Sequence, residues 1–323
     1  MKLLAPVSDF ASAVKQIEAG ADEIYVGGST KVFEGFSFNA RPKRKGPHGV
    51  ICPELWELKE IISYAHNCGV SVMFAANTPM LANDPEGTND YETEFLNYIE
   101  EGIEAGVDSI VVADLGAALL IRKRGIKTHM TASTTIETIN IEQIKFFEEL
   151  GFNRVVLSYL VTISEIEELT RLSPLEVEVF GHYGCSFYDG YCNLKHPPDG
   201  ALVGCDIGIP CMNTYCTVKD GRIEKKGQFL NAALACSICS LPRLKSAGVH
   251  SIKMVGREQD SDETSAMTRI YANVLKEINQ SENPSAIDME KIKRKYLGDA
   301  WLGSFCKNGS CKYLENRITN SFI

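Results

Sequence analysis

The sequence has no apolar run near the roughly 20 residues that a membrane-spanning helix requires. Its N-terminus, MKLLAPVSDF, carries an apolar stretch too short for a signal-peptide core. The expected location is therefore the cytoplasm, where thiols stay reduced. There is no HExxH zinc-protease motif, no GxSxG nucleophile elbow and no GxGxxG after the first expected strand. These absences argue against two common hydrolase chemistries and against a dinucleotide-binding domain. Cations are also scarce: 33 Lys and Arg against 42 Asp and Glu give a net charge of −9. That balance argues against a broad nucleic-acid-binding surface but leaves room for a local basic patch.

What the 323-residue chain has in quantity is αβ alternation. Strands are predicted at Lys2–Ala5, Glu23–Val26, Val70–Ala75, Ser109–Ala113, Lys127–Thr131, Arg154–Leu157, Val177–Phe180 and Ser251–Met254. Helices are expected between them, one opened by Asp9 and one by Ser164 as N-caps. The segments EAGADEIYV, EAGVDSIVV, ELGFNRVVL and SAGVHSIKM repeat one helix-to-strand turn, with Gly closing the helix. Apolar strands in a regular βα repeat imply a parallel sheet covered by helices. Eight such units favour an α/β fold of the closed (β/α)8, TIM-barrel type, over residues 1–280. A cysteine-rich insertion, residues 181–240, follows strand seven, and residues 281–323 form a C-terminal extension packed against the barrel. Active sites in this architecture sit at the C-terminal ends of the strands. The cysteine loop and the long loop after strand two both open on that face.

Cysteine is the residue in excess. Seven of the 11 fall between Val177 and Cys239: Cys185, Cys192, Cys205, Cys211, Cys216, Cys236 and Cys239. In a reduced compartment this density points to metal or redox chemistry more than to disulfides. Cys52 and Cys68, outside the loop, read as buried inert thiols. The candidate ligand set is Cys185, Cys192, Cys205 or Cys211, and Cys236. Four thiolates suit zinc or an iron–sulfur cluster, and spacing alone does not separate the two.

The motif G-x-C-x-x-Y-x-G-x-C, here spanning Cys185, Tyr188, Gly190 and Cys192, resembles the signature of the collagenase-like peptidase family (U-32). The resemblance extends over about residues 2 to 275, through LLAPVSDF, GADEIYVGG, FSFNAR, ADLG, TAST, EVEVFGH and SIKMVGR in order. It implies a (β/α)8 barrel carrying an oxygen-sensitive [4Fe–4S] cluster. It also implies oxygen-independent hydroxylation of an RNA base or a small aromatic substrate, with prephenate as hydroxyl donor. Cys185, Cys192 and Cys236 match the family's first, second and fourth ligands. The third is Cys205 or Cys211, with Cys205 favoured.

The chain departs from the family at several pocket positions. A histidine is replaced at Thr131, with His129 two residues earlier on the same strand face. An Arg-Glu pair is replaced by Tyr159-Leu160, and a glutamate by Val255. His182 is shifted by one lost residue, whereas Lys253, Gly256 and Arg257 are kept.

Arg257, His182 and Asp114 are the candidate catalytic residues; Arg41, Lys253 and Asn77 are candidates for binding substrate. Arg257 suits a bidentate carboxylate contact or a salt bridge at the barrel mouth. Asp114 reads equally well as a helix cap. The basic run Arg41, Lys43, Arg44 and Lys45 reads as a solvated surface or as a site for an anionic substrate or RNA phosphate. Cys306 and Cys311 in the tail read as a second metal site, a redox pair or inert thiols. Three functions compete: an iron–sulfur hydroxylase or related modifying enzyme, a peptidase, and a non-catalytic cluster-bearing subunit. The last would pair with a second family member as a heterodimer.

Overall fold

A computed structural model describes residues 1–29, 38, 53–77, 90–182, 214–227, 235–257, 259–307, 311–313 and 315. Eight parallel strands close into a barrel. Seven precede the cysteine-rich insertion: β1 (Lys2–Pro6), β2 (Glu23–Val26), β3 (Ser71–Ala76), β4 (Ser109–Val112), β5 (His129–Ala132), β6 (Arg154–Val156) and β7 (Glu176–Phe180). The insertion holds β8 (Tyr215–Lys219) and β9 (Arg222–Gly227), and β10 (Ser251–Lys253) is the eighth barrel strand. Around the barrel the order is β1-β10-β7-β6-β5-β4-β3-β2. Closure is made by β1 against β10, with Lys2 opposite Ser251 and Leu4 opposite Lys253. The helices are α1 (Phe10–Glu18), α2 (Leu55–Asn67), α3 (Tyr91–Ala105), α4 (Leu115–Arg124), α5 (Ile141–Glu149), α6 (Ile163–Leu172), α7 (Leu241–Ala247) and α8 (Ser261–Gln280). The repeated turn works through its glycine. Gly20, Gly106, Gly151 and Gly248 all hold φ between 85° and 103°, where an L side chain is strained.

Strand alternation sorts the core into two layers. Ile24, Val26, Val72, Phe74, Ile110, Val155, Val179 and Ile252 face outward and join the large cluster beneath the helices. The inward positions hold an apolar cluster of Leu4, Tyr25, Met73 and Val111 together with a set of charges. Arg154 donates from Nη1 and Nη2 to the two carboxylate oxygens of Glu23 across the barrel, at 2.8 and 3.0 Å. It also reaches Glu178 at 3.2 Å and Glu176 at 2.9 Å. Ser251 donates to Glu23 at 3.0 Å, and Lys253 to Glu178 at 3.2 Å. Buried charge is tolerated only when matched, and here each ion meets its opposite. Burial alone would push the Glu23 carboxyl up; the Arg154 guanidinium, helped by Lys2, outweighs it and holds the group down to about 2.

Two features differ from expectation. Helix α6 is capped by Thr162, whose hydroxyl receives the Glu165 N–H while the Glu165 carboxylate receives the Thr162 N–H, a reciprocal box. Ser164 lies inside the helix instead, and its hydroxyl donates to Glu315 at 2.6 Å. Inside the cysteine-rich insertion, β8 and β9 form an antiparallel hairpin. Its turn, Asp220-Gly221, has positive φ at both residues, as a two-residue hairpin turn demands.

The tail is built into the molecule. After α8 come α9 (Met289–Tyr296), α10 (Asp299–Trp301) and a π-helical turn at Leu302–Cys306. Ile292, Leu297, Trp301, Phe305 and Tyr313 are buried in the same hydrophobic cluster as the barrel. Among the described residues no helix is long and apolar enough to cross a membrane.

Candidate functional site

The site begins where β7 ends. A Cβ at Gly181 would lie 2.9 Å from Ile252 Cγ2 and 3.0 Å from Met254 Sδ, so the chain can turn this close to β10 only with glycine there. His182, the next residue, bridges Cys236 in antiparallel fashion, and Cys236 in turn bridges Cys311 in parallel. Three distant segments thus lie side by side across the mouth. Ser237 N–H donates to Gly181 O at 3.0 Å, and Lys312 N–H donates to Cys236 O at 2.9 Å.

Cys236 is buried, with the Tyr271 hydroxyl 3.9 Å from its Sγ. Burial pushes the thiol up to about 11; the Ile238 N–H and the Tyr271 hydroxyl pull the other way. His182 is buried too, and burial together with the nearby Lys312 holds its imidazole down to about 3. It is therefore neutral at physiological pH.

Lys312 is the residue that sequence reasoning missed. It comes from the tail, yet it is only 5% exposed. Its Nζ lies 5.0 Å from the Tyr159 ring centroid, 5.3 Å from Tyr313 and 5.6 Å from Phe180, all within cation–π range. Tyr313 anchors the turn by donating to Phe180 O at 2.8 Å. Beneath lies an apolar cluster of Val156, Tyr159 and Phe180, with Leu160 and Val255 packed against it. Tyr159, Leu160 and Val255 are the positions where the chain departs from the family's charged residues. Those changes collect in one patch, and a lysine from elsewhere in the chain sits on it. No spacing in FCKNGSCKY signals that Lys312 is internal.

The other candidates fall as follows. Arg257 is buried past the end of β10, its Cζ 5.4 Å from the Tyr25 ring centroid. Lys253 lies 4.5 Å from the same ring, but inside the barrel and paired with Glu178. Asn77 follows β3; its Oδ1 is buried and has no hydrogen-bond partner among the described residues, and the same holds for Thr131 Oγ1. Asp114 caps α4, its Oδ1 accepting from Ala117 N–H at 2.7 Å. His129 opens β5 and so lies at the end of the strand away from the mouth, where it cannot stand in for the histidine replaced by Thr131. Cys68, expected to be buried, is exposed at the end of α2. Cys239, Cys306 and Cys311 are exposed as well.

Cys52, Arg41 and the rest of its basic run, Cys185, Cys192, Cys205 and Cys211 lie outside the described residues. Among the described residues no group of three or more His, Cys, Asp or Glu is disposed to hold a metal ion. Of the expected ligand set, Cys236 alone falls among them.

The model of peptidase family U32 matches residues 8–307. This chain belongs to that family. A 23S rRNA 5-hydroxycytidine synthase of Escherichia coli is 27% identical over 280 residues, covering 85% of this chain and 39% of that protein. A tRNA hydroxylation protein P of Escherichia coli is 23% identical over 232 residues, 56% of this chain and 51% of that one. A collagenase of Porphyromonas gingivalis is 22% identical, covering 85% of this chain and 65% of that protein. The chain thus spans between 39% and 65% of the length of these three curated relatives. A solved U32 peptidase superposes with a TM-score of 0.50 at 15% identity, over 79% of this chain and 94% of that one. That likeness bears on the fold alone. Within the U32 family, similar members thus bear names of both RNA hydroxylation and proteolysis.

Proposed function

We propose that this chain is an iron–sulfur enzyme that hydroxylates an RNA base, or carries out a closely related modification. One observation carries the reading: the Cys236 thiol is buried at the barrel mouth, fixed by backbone on both sides, with the Ile238 N–H and the Tyr271 hydroxyl as hydrogen-bond donors beside its sulfur. A thiolate receiving such donors suits a cluster ligand, because hydrogen bonds to sulfur tune a cluster's potential. Cys185, Cys192 and Cys205, or Cys211 in place of Cys205, would hold a [4Fe–4S] cluster together with Cys236. When bound, it would supply one-electron chemistry at the mouth.

The chain's own residues would then bind and orient. The Arg257 guanidinium is of the type that would donate two parallel hydrogen bonds to a carboxylate, as a carboxylate-bearing hydroxyl donor such as prephenate would need. The Asn77 amide and the Thr131 hydroxyl offer hydrogen bonds to an uncharged substrate edge. Lys312 adds positive charge at β6 and β7. Neutral His182 carries one ring N–H donor and one ring-nitrogen acceptor and so can orient a substrate by hydrogen bonds.

The similar RNA-hydroxylation proteins favour an RNA substrate over a free small aromatic one. A peptidase built on Cys236 is disfavoured, because a buried thiol with a raised pKa makes a poor nucleophile. The test compares nucleosides from digested RNA of anaerobically grown cells with and without the gene. Mass spectrometry should find a hydroxylated nucleoside that is lost on deletion and restored by the wild type but not by Cys236→Ser. Identical nucleoside profiles in all strains would refute the reading.

A further inference from the structure

We infer that the β8–β9 hairpin is a docking arm for RNA; the inference rests on the proposed RNA substrate. Residues 216–226 of the hairpin are exposed throughout. The arm carries four cations, Lys219, Arg222, Lys225 and Lys226, against two carboxylates, Asp220 and Glu224. It is thus locally basic in a chain of net charge −9. None of the four cations forms an ion pair among the described residues.

The strand register concentrates this charge at the tip. Lys219 lies directly opposite Arg222, and Val218 directly opposite Ile223. Like charges facing each other across a strand pair destabilise it. Val218 and Ile223 are 62% and 66% exposed, so their pair gains little from burial. Successive pairs point to opposite faces of a ribbon, so one face of the tip presents two cations and the other two aliphatic side chains. A two-stranded ribbon is barely stable alone in water. A polyanion on the cationic face would relieve the Lys219–Arg222 repulsion. Unstacked bases could pack on the aliphatic face, as in sequence-tolerant binding of single strands. Charge complementarity therefore selects RNA as the occupant. The hairpin belongs to the insertion that carries the candidate cluster ligands, so an RNA held by it is tied to the same part of the chain.

Two variants of the intact protein test this. One carries Lys219→Gln, Arg222→Gln, Lys225→Gln and Lys226→Gln together; the other carries Val218→Thr and Ile223→Thr, which keep β-branching. Binding of bulk tRNA and of a short fluorescein-labelled single-stranded RNA is followed by anisotropy across a salt series. The cationic variant should bind about 10-fold or more weakly, and its salt slope should fall by about 0.7 for each phosphate that is no longer neutralised. The aliphatic variant should bind more weakly with its salt slope unchanged. Both should keep wild-type melting temperature and iron content.

If the wild type binds RNA and the cationic variant matches it in affinity and slope, the docking arm is refuted while the RNA reading stands. If the wild type binds neither RNA, both fall. If the cationic variant loses binding to phosphatidylserine vesicles but not to RNA, the arm is a membrane contact and the inference is wrong.

Discussion

Inside the barrel, charge is answered by charge. Arg154 meets Glu23, Glu176 and Glu178, and Lys253 meets Glu178. At the mouth, cations lie against rings: Arg257 on Tyr25, and Lys312 on Tyr159, Phe180 and Tyr313. The interior network closes on itself and spans β2, β6, β7 and β10, so it acts as a structural plug. A ring attracts a cation through its quadrupole, so these side chains are held by a contact of a different kind from the ion pairs of the interior. The two sets thus differ in what holds them, although both are buried and both are charged.

The most severe test of this division is at Arg154. Arg154→Met takes from buried Glu23 its guanidinium partner and leaves Glu178 to Lys253 alone, and should cost roughly 3–5 kcal/mol. Urea unfolding should show a large drop in midpoint, or no folded protein at all. A loss under about 1 kcal/mol would mean that the interior ions are not a plug.

Acid should reveal the two regions in windows that overlap but begin at different pH. Glu23 is held down to about 2, below the ordinary value of 4.5. Its stabilisation is therefore present above about 4.5 and is lost as pH falls towards 2. His182 is held down to about 3 from an ordinary 6.5, so the unfolded chain takes up that proton first. Stability from this source is lost as pH falls from 6.5 towards 3. His129 and His250, both lowered chiefly by burial, likewise contribute stability that is lost as pH falls below 6.5. Glu23→Gln should flatten the unfolding profile below pH 4.5 and leave it unchanged between 4.5 and 6.5, where His182→Asn should reduce the slope. If Glu23→Gln altered the slope between 4.5 and 6.5, the two regions would not be separate.

A smaller effect is expected at Lys312. Lys312→Met keeps the length of the side chain and substitutes sulfur–aromatic contacts for cation–π contacts. Stability should stay within about 2 kcal/mol of wild type, since a desolvated cation–π contact is worth about 2 kcal/mol and the sulfur–aromatic contacts replace part of it. RNA modification should fall sharply, and Lys312→Arg should restore part of it. A stability loss matching that of Arg154→Met would place Lys312 with the plug.

The barrel was legible because its signals are local. Each strand follows a Gly-closed helix, and Gly20, Gly106, Gly151 and Gly248 each adopt the left-handed conformation that the repeated turn requires. The Asp220-Gly221 hairpin turn is equally local, but it stands in a stretch where cysteines are the stronger signal. The N-cap of α6 falls two residues before the expected position because Thr162 and Ser164 are chemically alike; Glu165 at the third helical position decides for Thr162. The mouth was harder to read because its contacts are distant in sequence. Lys312 reaches Tyr159 and Phe180 across more than a hundred residues, and His182, Cys236 and Cys311 align only once the barrel has closed. Arg154 and Glu23, 131 residues apart, carry no pattern that marks them as partners.

The central claim is that Cys236 is a cluster ligand at the mouth and not an inert buried thiol. It is tested by measuring iron and acid-labile sulfide in protein purified without oxygen, for the wild type, Cys236→Ser and Cys68→Ser. About four irons and four sulfides per wild-type chain are expected, as a [4Fe–4S] cluster requires. The exposed Cys68 should be replaceable without loss, whereas Cys236→Ser should lose most of both while its unfolding midpoint changes little. Zinc without sulfide in the wild type, or full iron and sulfide in Cys236→Ser, would contradict it.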